Sequence, residues 1–258
     1  MVIAFPKADV LPPVVAATAD SRGDRRIAPA NQPDYAPTVK PLASCTLYTF
    51  VDTAYLYGRT PTFLTQQLCD GGSDLIQLRA KTSPLDEVRR MADAILPITR
   101  RAHVGLVIND HASLAAEVGA ELCHLGQEDF FDAGYRHVSV ISGQRSKVGI
   151  GLSTHAPSQA ERALAAGPDY IAIGPIFATP TKPNAKPVTL EYVRWAAKNV
   201  KIPWFAIGGI TLNNLDDVLT AGAKRICVVS AILNAADVAL ACREFRKRLN
   251  WPATITRW

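Results

Sequence analysis

In the segment QLRAK, the side chains able to hold an anion fall at every second residue: Gln77, Arg79 and Lys81. On an extended strand this spacing sends all three to one face. Two cations beside an amide suit a multiply charged anion such as a diphosphate. The plainer reading is a strand-end ion pair, with Glu121 or Asp74 as partner. Two carboxylates, Asp110 and Asp129, close two later apolar runs. Mg²⁺ is usually held by one or two carboxylates, with water and substrate phosphates completing its shell. No His/Cys cluster points to zinc. Taken alone, Asp110 reads equally as the N-cap of a helix starting near His111.

Two further segments offer phosphate grips. The loop 178-ATPTKP supplies Thr179, Thr181 and Lys182, two hydroxyls and a cation. The segments AIGGI (206–210) and VVSAI (228–232) supply Gly208, Gly209, Val229 and Ser230. A lone Gly-Gly is usually a turn, but glycine also lets backbone N–H groups approach a phosphate closely. His155 is a candidate general base and equally a satisfied loop histidine; His111 and His124 read as structural. No Ser-His-Asp arrangement is present. The chemistry supported is displacement of pyrophosphate by a second, phosphorylated substrate, with Mg²⁺ and the cations stabilising the leaving charge.

These residues need elements to gather them. Short apolar runs start at residues 45, 74, 104, 121, 148, 169, 203 and 225, which makes eight candidate strands. Their starts lie 29, 30, 17, 27, 21, 34 and 22 residues apart, room for a helix in each gap. The stretch 158-SQAERALAAG has helical spacing with Gly167 as its stop, and 211-TLNNLDDVLTAG has Thr211 as a possible N-cap with Gly222 after it. Continuous apolar strands suit a parallel sheet buried on both faces. No G-x-G-x-x-G follows the first strand, which argues against a doubly wound sheet. The expectation is an α/β protein, a (β/α)₈ TIM barrel in one domain over residues 45–258. Its active site belongs at the C-terminal ends of the strands, where strands two to eight carry the polar residues named above.

The 258 residues are 48% hydrophobic and 20% charged, which excludes a disordered chain, a collagen and a disulfide scaffold. No apolar run is long enough for a membrane span, so no membrane partner is expected. Net charge is +5, and the basic pairs and the 243–248 group read as solvated helix faces. No basic stripe interleaved with aromatics supports nucleic acid. Five widely spaced cysteines point to reduced thiols and a cytoplasmic protein, with Cys123 and Cys227 as small core residues. Residues 1–44 hold seven of the eighteen prolines and no periodicity, and read as a mobile extension rather than a secretory signal or transit peptide.

The segments QLRAK (77–81), VINDHASLAAEVGAELCHLGQED (107–129), GLSTH (151–155), IAIGPIFATPTKP (171–183), AIGGIT (206–211) and VVSAI (228–232) together resemble the thiamine-phosphate synthase family. The resemblance runs in order through the whole barrel. It implies a (β/α)₈ fold and the joining of a pyrimidine diphosphate to a thiazole phosphate. It places Gln77, Leu78, Arg79, Ala80, Lys81 and Asn109 at the pyrimidine diphosphate, and Asp110 and Asp129 on Mg²⁺. Ser153 and Lys182 would contact the diphosphate, so that Arg79, Lys81, Ser153 and Lys182 act on the departing charge. Thr179, Pro180, Thr181, Gly209, Val229 and Ser230 would hold the thiazole phosphate. Ala80 stands where the family commonly has an acid; the strand's alternation points it away from its neighbours, so an effect on packing rather than lost activity is expected. The rivals are a thiazole tautomerase, compatible with His155, and a non-catalytic thiamine-phosphate or nucleic-acid binder.

Overall fold

The computed structural model describes residues 39–142, 148–179, 181 and 186–250. Eight parallel strands close into a barrel in chain order: β1 (Leu47–Asp52), β2 (Leu75–Arg79), β3 (Gly105–Asn109), β4 (Leu122–Gly126), β5 (Gly149–Thr154), β6 (Tyr170–Ile173), β7 (Trp204–Ile207) and β8 (Ile226–Cys227). Leu47 pairs with Ile226 where the barrel shuts. All eight expected strands are present, each within two residues of its expected start. Side chains alternate between the barrel interior and the helix layer, so the outward Ile76, Leu78, Ile108 and Ile150 are wholly buried.

The helices run from α1 (Pro61–Asp70) and α2 (Leu85–Arg101) through α3 (Ala112–Val118), α4 (Gln127–Asp132) and α5 (Ser139–Ser142). They continue with α6 (Pro157–Ala165), α7 (Thr189–Asn199), α8 (Leu215–Thr220), α9 (Ser230–Leu233) and α10 (Val238–Leu249). Helix α2 shows why such segments are helical. Val88, Ala92, Ile95, Leu96 and Thr99 form one buried stripe, with Asp86 and Glu87 in the first turn and Arg100 and Arg101 in the last. Helix α6 ends just before Gly167, as its spacing predicts. Helix α8 starts four residues after Thr211. Asn214 takes the cap position instead, accepting from the Thr211 amide at 2.8 Å and donating to Gly209 O at 2.9 Å.

Two sequence readings change at the bottom of the barrel. Arg246 on α10 is not on a solvated face: it pairs with Asp74, whose side chain is 2% exposed. Lys40 joins them at 2.6 Å, so residues 39–44, grouped with the extension by composition, pack with the barrel. Residues 1–38 lie outside the described residues. All five cysteines are free, and Cys123 and Cys227 are buried as expected. Among the described residues no helix is long and apolar enough to cross a membrane.

Candidate active site

The C-terminal mouth of the barrel opens into one cavity. Alternation on β2 sends Gln77 and Arg79 into it, and Lys81 follows at the rim. Leu78, wholly buried, and Ala80, 6% exposed, do not line it. These two face the helix layer, because a side chain between two inward neighbours must point out. For Ala80 this is the orientation that the strand's alternation predicts.

Arg79 is held in a strand-end ion pair, but with a partner the sequence reading did not name. Its Nη1 lies 2.7 Å from Asp52 Oδ2, at the end of β1. Asp52 is 1% exposed, and its other oxygen accepts from the Ala54 amide at 3.0 Å. Neither Glu121 nor Asp74 can fill this role. Both precede their strands, so they sit at the opposite rim, where Glu121 accepts from the Leu106 amide.

Asp110 does not cap α3; His111 occupies that position. Asp110 instead takes a left-handed φ of 65°, a region that Asp tolerates better than most residues, and its carboxylate lies 3.2 Å from Lys81 Nζ. Asp129 lines the same cavity from the first turn of α4, and Asn109 and Ser153 line it from the ends of β3 and β5. The two carboxylates are hard oxygen donors at a cavity also lined by cations, a set that suits Mg²⁺ completed by water and phosphate oxygens. No group of three or more His, Cys, Asp or Glu able to hold a metal occurs among the described residues.

Across the mouth, Gly208 and Gly209 hold φ of 100° and 65°. A Cβ on Gly209 would lie 2.5 Å from Ala178 O, so only glycine fits where β7 meets the β6 loop. Val229 and Ser230, Thr179 and Thr181 line the cavity beside them. Thr181 Oγ1 lies 2.9 Å from the Tyr55 hydroxyl, which ties the β6 loop to the segment after β1. Pro180 and Lys182 lie outside the described residues.

His155 also lines the cavity, with Nδ1 donating to Gly174 O and Nε2 3.9 Å from Glu128. The satisfied-loop reading therefore accounts for one ring nitrogen. His124, read as structural, lines the cavity and bonds the Tyr170 hydroxyl. Asp52, Tyr48, Tyr55 and Tyr170 went unread. The one signal the sequence offers for them is Asp52, the acid that closes the first apolar run.

A family model described as thiamine monophosphate synthase matches residues 47–232. A thiamine-phosphate synthase of Thermus thermophilus is 46% identical over 186 residues, 72% of this chain and 87% of that protein. One of Acidothermus cellulolyticus is 41% identical over 214 residues, 81% of this chain and 96% of its own. The solved thiamine phosphate pyrophosphorylase of Pyrococcus furiosus superposes with a TM-score of 0.71 at 29% identity, covering 81% of this chain and 96% of that one. The match spans all eight strands and every cavity-lining segment described, so the chain belongs to the thiamine monophosphate synthase family.

Proposed function

We propose that this protein condenses 4-amino-2-methyl-5-hydroxymethylpyrimidine diphosphate with 4-methyl-5-(2-phosphoethyl)thiazole, giving thiamine phosphate and pyrophosphate. The observation that carries the reading is the joint lining of one cavity by Gln77, Arg79, Lys81, Asn109, Asp110 and Asp129. An amide pair and two cations facing two carboxylates suit a diphosphate that reaches the protein with a divalent cation. Gln77 and Asn109 would orient the pyrimidine, and Arg79, Lys81, Ser153 and Lys182 would take the diphosphate. Thr179, Pro180, Thr181, Gly209, Val229 and Ser230 would seat the thiazole phosphate.

The bond that breaks joins the pyrimidine methylene carbon to the diphosphate oxygen, which keeps the electron pair. The bond that forms joins that carbon to the thiazole nitrogen. Departure first, capture second is the order that needs no protein nucleophile, and the cavity offers cations for the oxygen that gains charge. Arg79 is aimed beforehand by Asp52, so its field costs no reorganisation when charge develops. Asp110 and Asp129 would hold Mg²⁺, which when bound neutralises charge on the departing group. Lys81 shares Asp110, so it is poised at the same end of the diphosphate.

The test mixes both substrates with the purified chain and Mg²⁺ and follows pyrophosphate. Release should need both substrates, stop with EDTA and return with Mg²⁺. Turnover in chelator would remove the metal, and isomerisation of a thiazole without pyrophosphate release would replace the synthase by the tautomerase.

A further inference from the structure

On the cavity floor, four polar side chains from four strands form one line of hydrogen bonds. Gln77 Nε2 on β2 donates to the Tyr48 hydroxyl on β1 at 2.7 Å. The Tyr48 and Tyr170 hydroxyls lie 3.1 Å apart, and the Tyr170 hydroxyl lies 3.0 Å from His124 Nδ1 on β4. Tyr48 is 1% exposed and Tyr170 0%. Phenylalanine would fill the same space beside Phe50 and Phe205 without any polar atom to satisfy, so two buried phenols mark a function for their hydroxyls. Strand β5 even omits a side chain to admit one of them. A Cβ on Gly151 would lie 2.1 Å from Tyr170 Cζ and 2.6 Å from its hydroxyl.

The line has a direction. Burial pushes both phenols well above the ordinary tyrosine range, so each keeps its proton. An amide nitrogen cannot accept, so the proton of Tyr48 turns to Tyr170. The proton of Tyr170 then goes to His124, whose Nδ1 must be the bare nitrogen of the ring. With its nitrogen held from below, Gln77 offers the cavity its carbonyl oxygen, an acceptor.

We propose that Tyr48, Tyr170 and His124 are positioning residues that lock the Gln77 carboxamide and so select a pyrimidine carrying an amino donor over one carrying an oxo acceptor. The inference rests on the pyrimidine diphosphate reading given above. Tyr170 bonds Tyr48 and His124 and not Gln77, so a hydrogen-bonding effect of its hydroxyl on this choice passes through the line.

The experiment measures KM and kcat for the 4-amino pyrimidine diphosphate and its 4-oxo analogue in the wild type, Tyr48→Phe and Tyr170→Phe. In both variants the preference for the amino compound should fall on the order of tenfold, the worth of one neutral hydrogen bond. The KM for thiazole phosphate should not move. A merely structural role would lower the melting temperature and leave the amino/oxo ratio intact, and that result in both variants overturns the proposal. Nitrogen-15 NMR of the wild-type histidines needs no variant: His124 Nδ1 should be unprotonated, and a protonated Nδ1 overturns the direction assigned. If the wild type turns over neither pyrimidine, the substrate reading fails while the NMR result still decides the line.

Discussion

Asp52 shows how a single residue sets the chemistry of its neighbour. Its carboxylate is shared between Arg79 and the Ala54 amide, so the guanidinium is aimed before any anion arrives. Asp52→Asn keeps the shape and the cap but loses the charge. Its KM for pyrimidine diphosphate should rise about tenfold, roughly what one charge-assisted hydrogen bond is worth, and the thiazole phosphate KM should stay put. On the proposed reading, Lys182 and Ser230 serve different phosphates. Charge on the diphosphate grows only as its bond breaks, so Lys182→Ala should lower kcat by about 10²–10³. The thiazole phosphate keeps its charge throughout, so Ser230→Ala should raise its KM with little change in kcat. Steady-state kinetics with each substrate varied in turn reads both. A Lys182→Ala effect confined to the thiazole KM would reassign the two loops.

At the scale of elements, the site depends on how closely β7 meets the loop after β6. Gly208 O accepts from the Phe177 amide at 3.0 Å, and Asn214 ties Gly209 O to the start of α8. Gly209→Ala would press a methyl against Ala178 O and Phe177 while forcing alanine to a φ of 65°. Destabilisation of at least about 1 kcal/mol is expected from the strained backbone, with a higher thiazole phosphate KM. A variant with wild-type melting temperature and kinetics would show that the loop has room to retreat.

Across the whole molecule, the cavity and the Asp74 cluster occupy opposite ends of the barrel. The bottom is closed by Asp74, which accepts from Lys40, Arg246, and the Thr46 and Leu47 amides. Burial raises its carboxyl pKa, but the hydrogen bonds from Lys40, Thr46, Arg246 and Leu47 outweigh that and hold it below the usual carboxylate range. A depressed folded pKa stabilises the fold above the unfolded value, and that contribution is lost as pH falls through the folded one. Thermal melts should therefore show the wild type losing stability below about pH 4 more steeply than Asp74→Asn. Equal slopes would clear Asp74 of the acid sensitivity. Deleting residues 1–38 should leave turnover within a few-fold of wild type. Extending the deletion to residue 44 strips Lys40 from Asp74 and should lower the melting temperature, with little effect on KM at the far mouth.

The sequence alone determined the eight strands, their parallel order and the rim that carries the site. Apolar runs at helix-sized spacing admit few other packings, and inward pointing at the end of a strand follows from its period of two. Gln77, Arg79, Lys81 and Asn109 are legible as cavity-lining residues for that reason, and the same period turns the side chain of Leu78 toward the helix layer. Tertiary structure alone decided the partners. Asp52 reaches Arg79 because β1 lies beside β2, paired residue for residue from Tyr48–Leu75 to Asp52–Arg79. Tyr48 meets Tyr170 across 122 residues of chain because the barrel closes around them. Hydrogen bonds between strands distant in sequence leave no periodic mark, so the line beneath Gln77 becomes visible only when the strands are set in their ring.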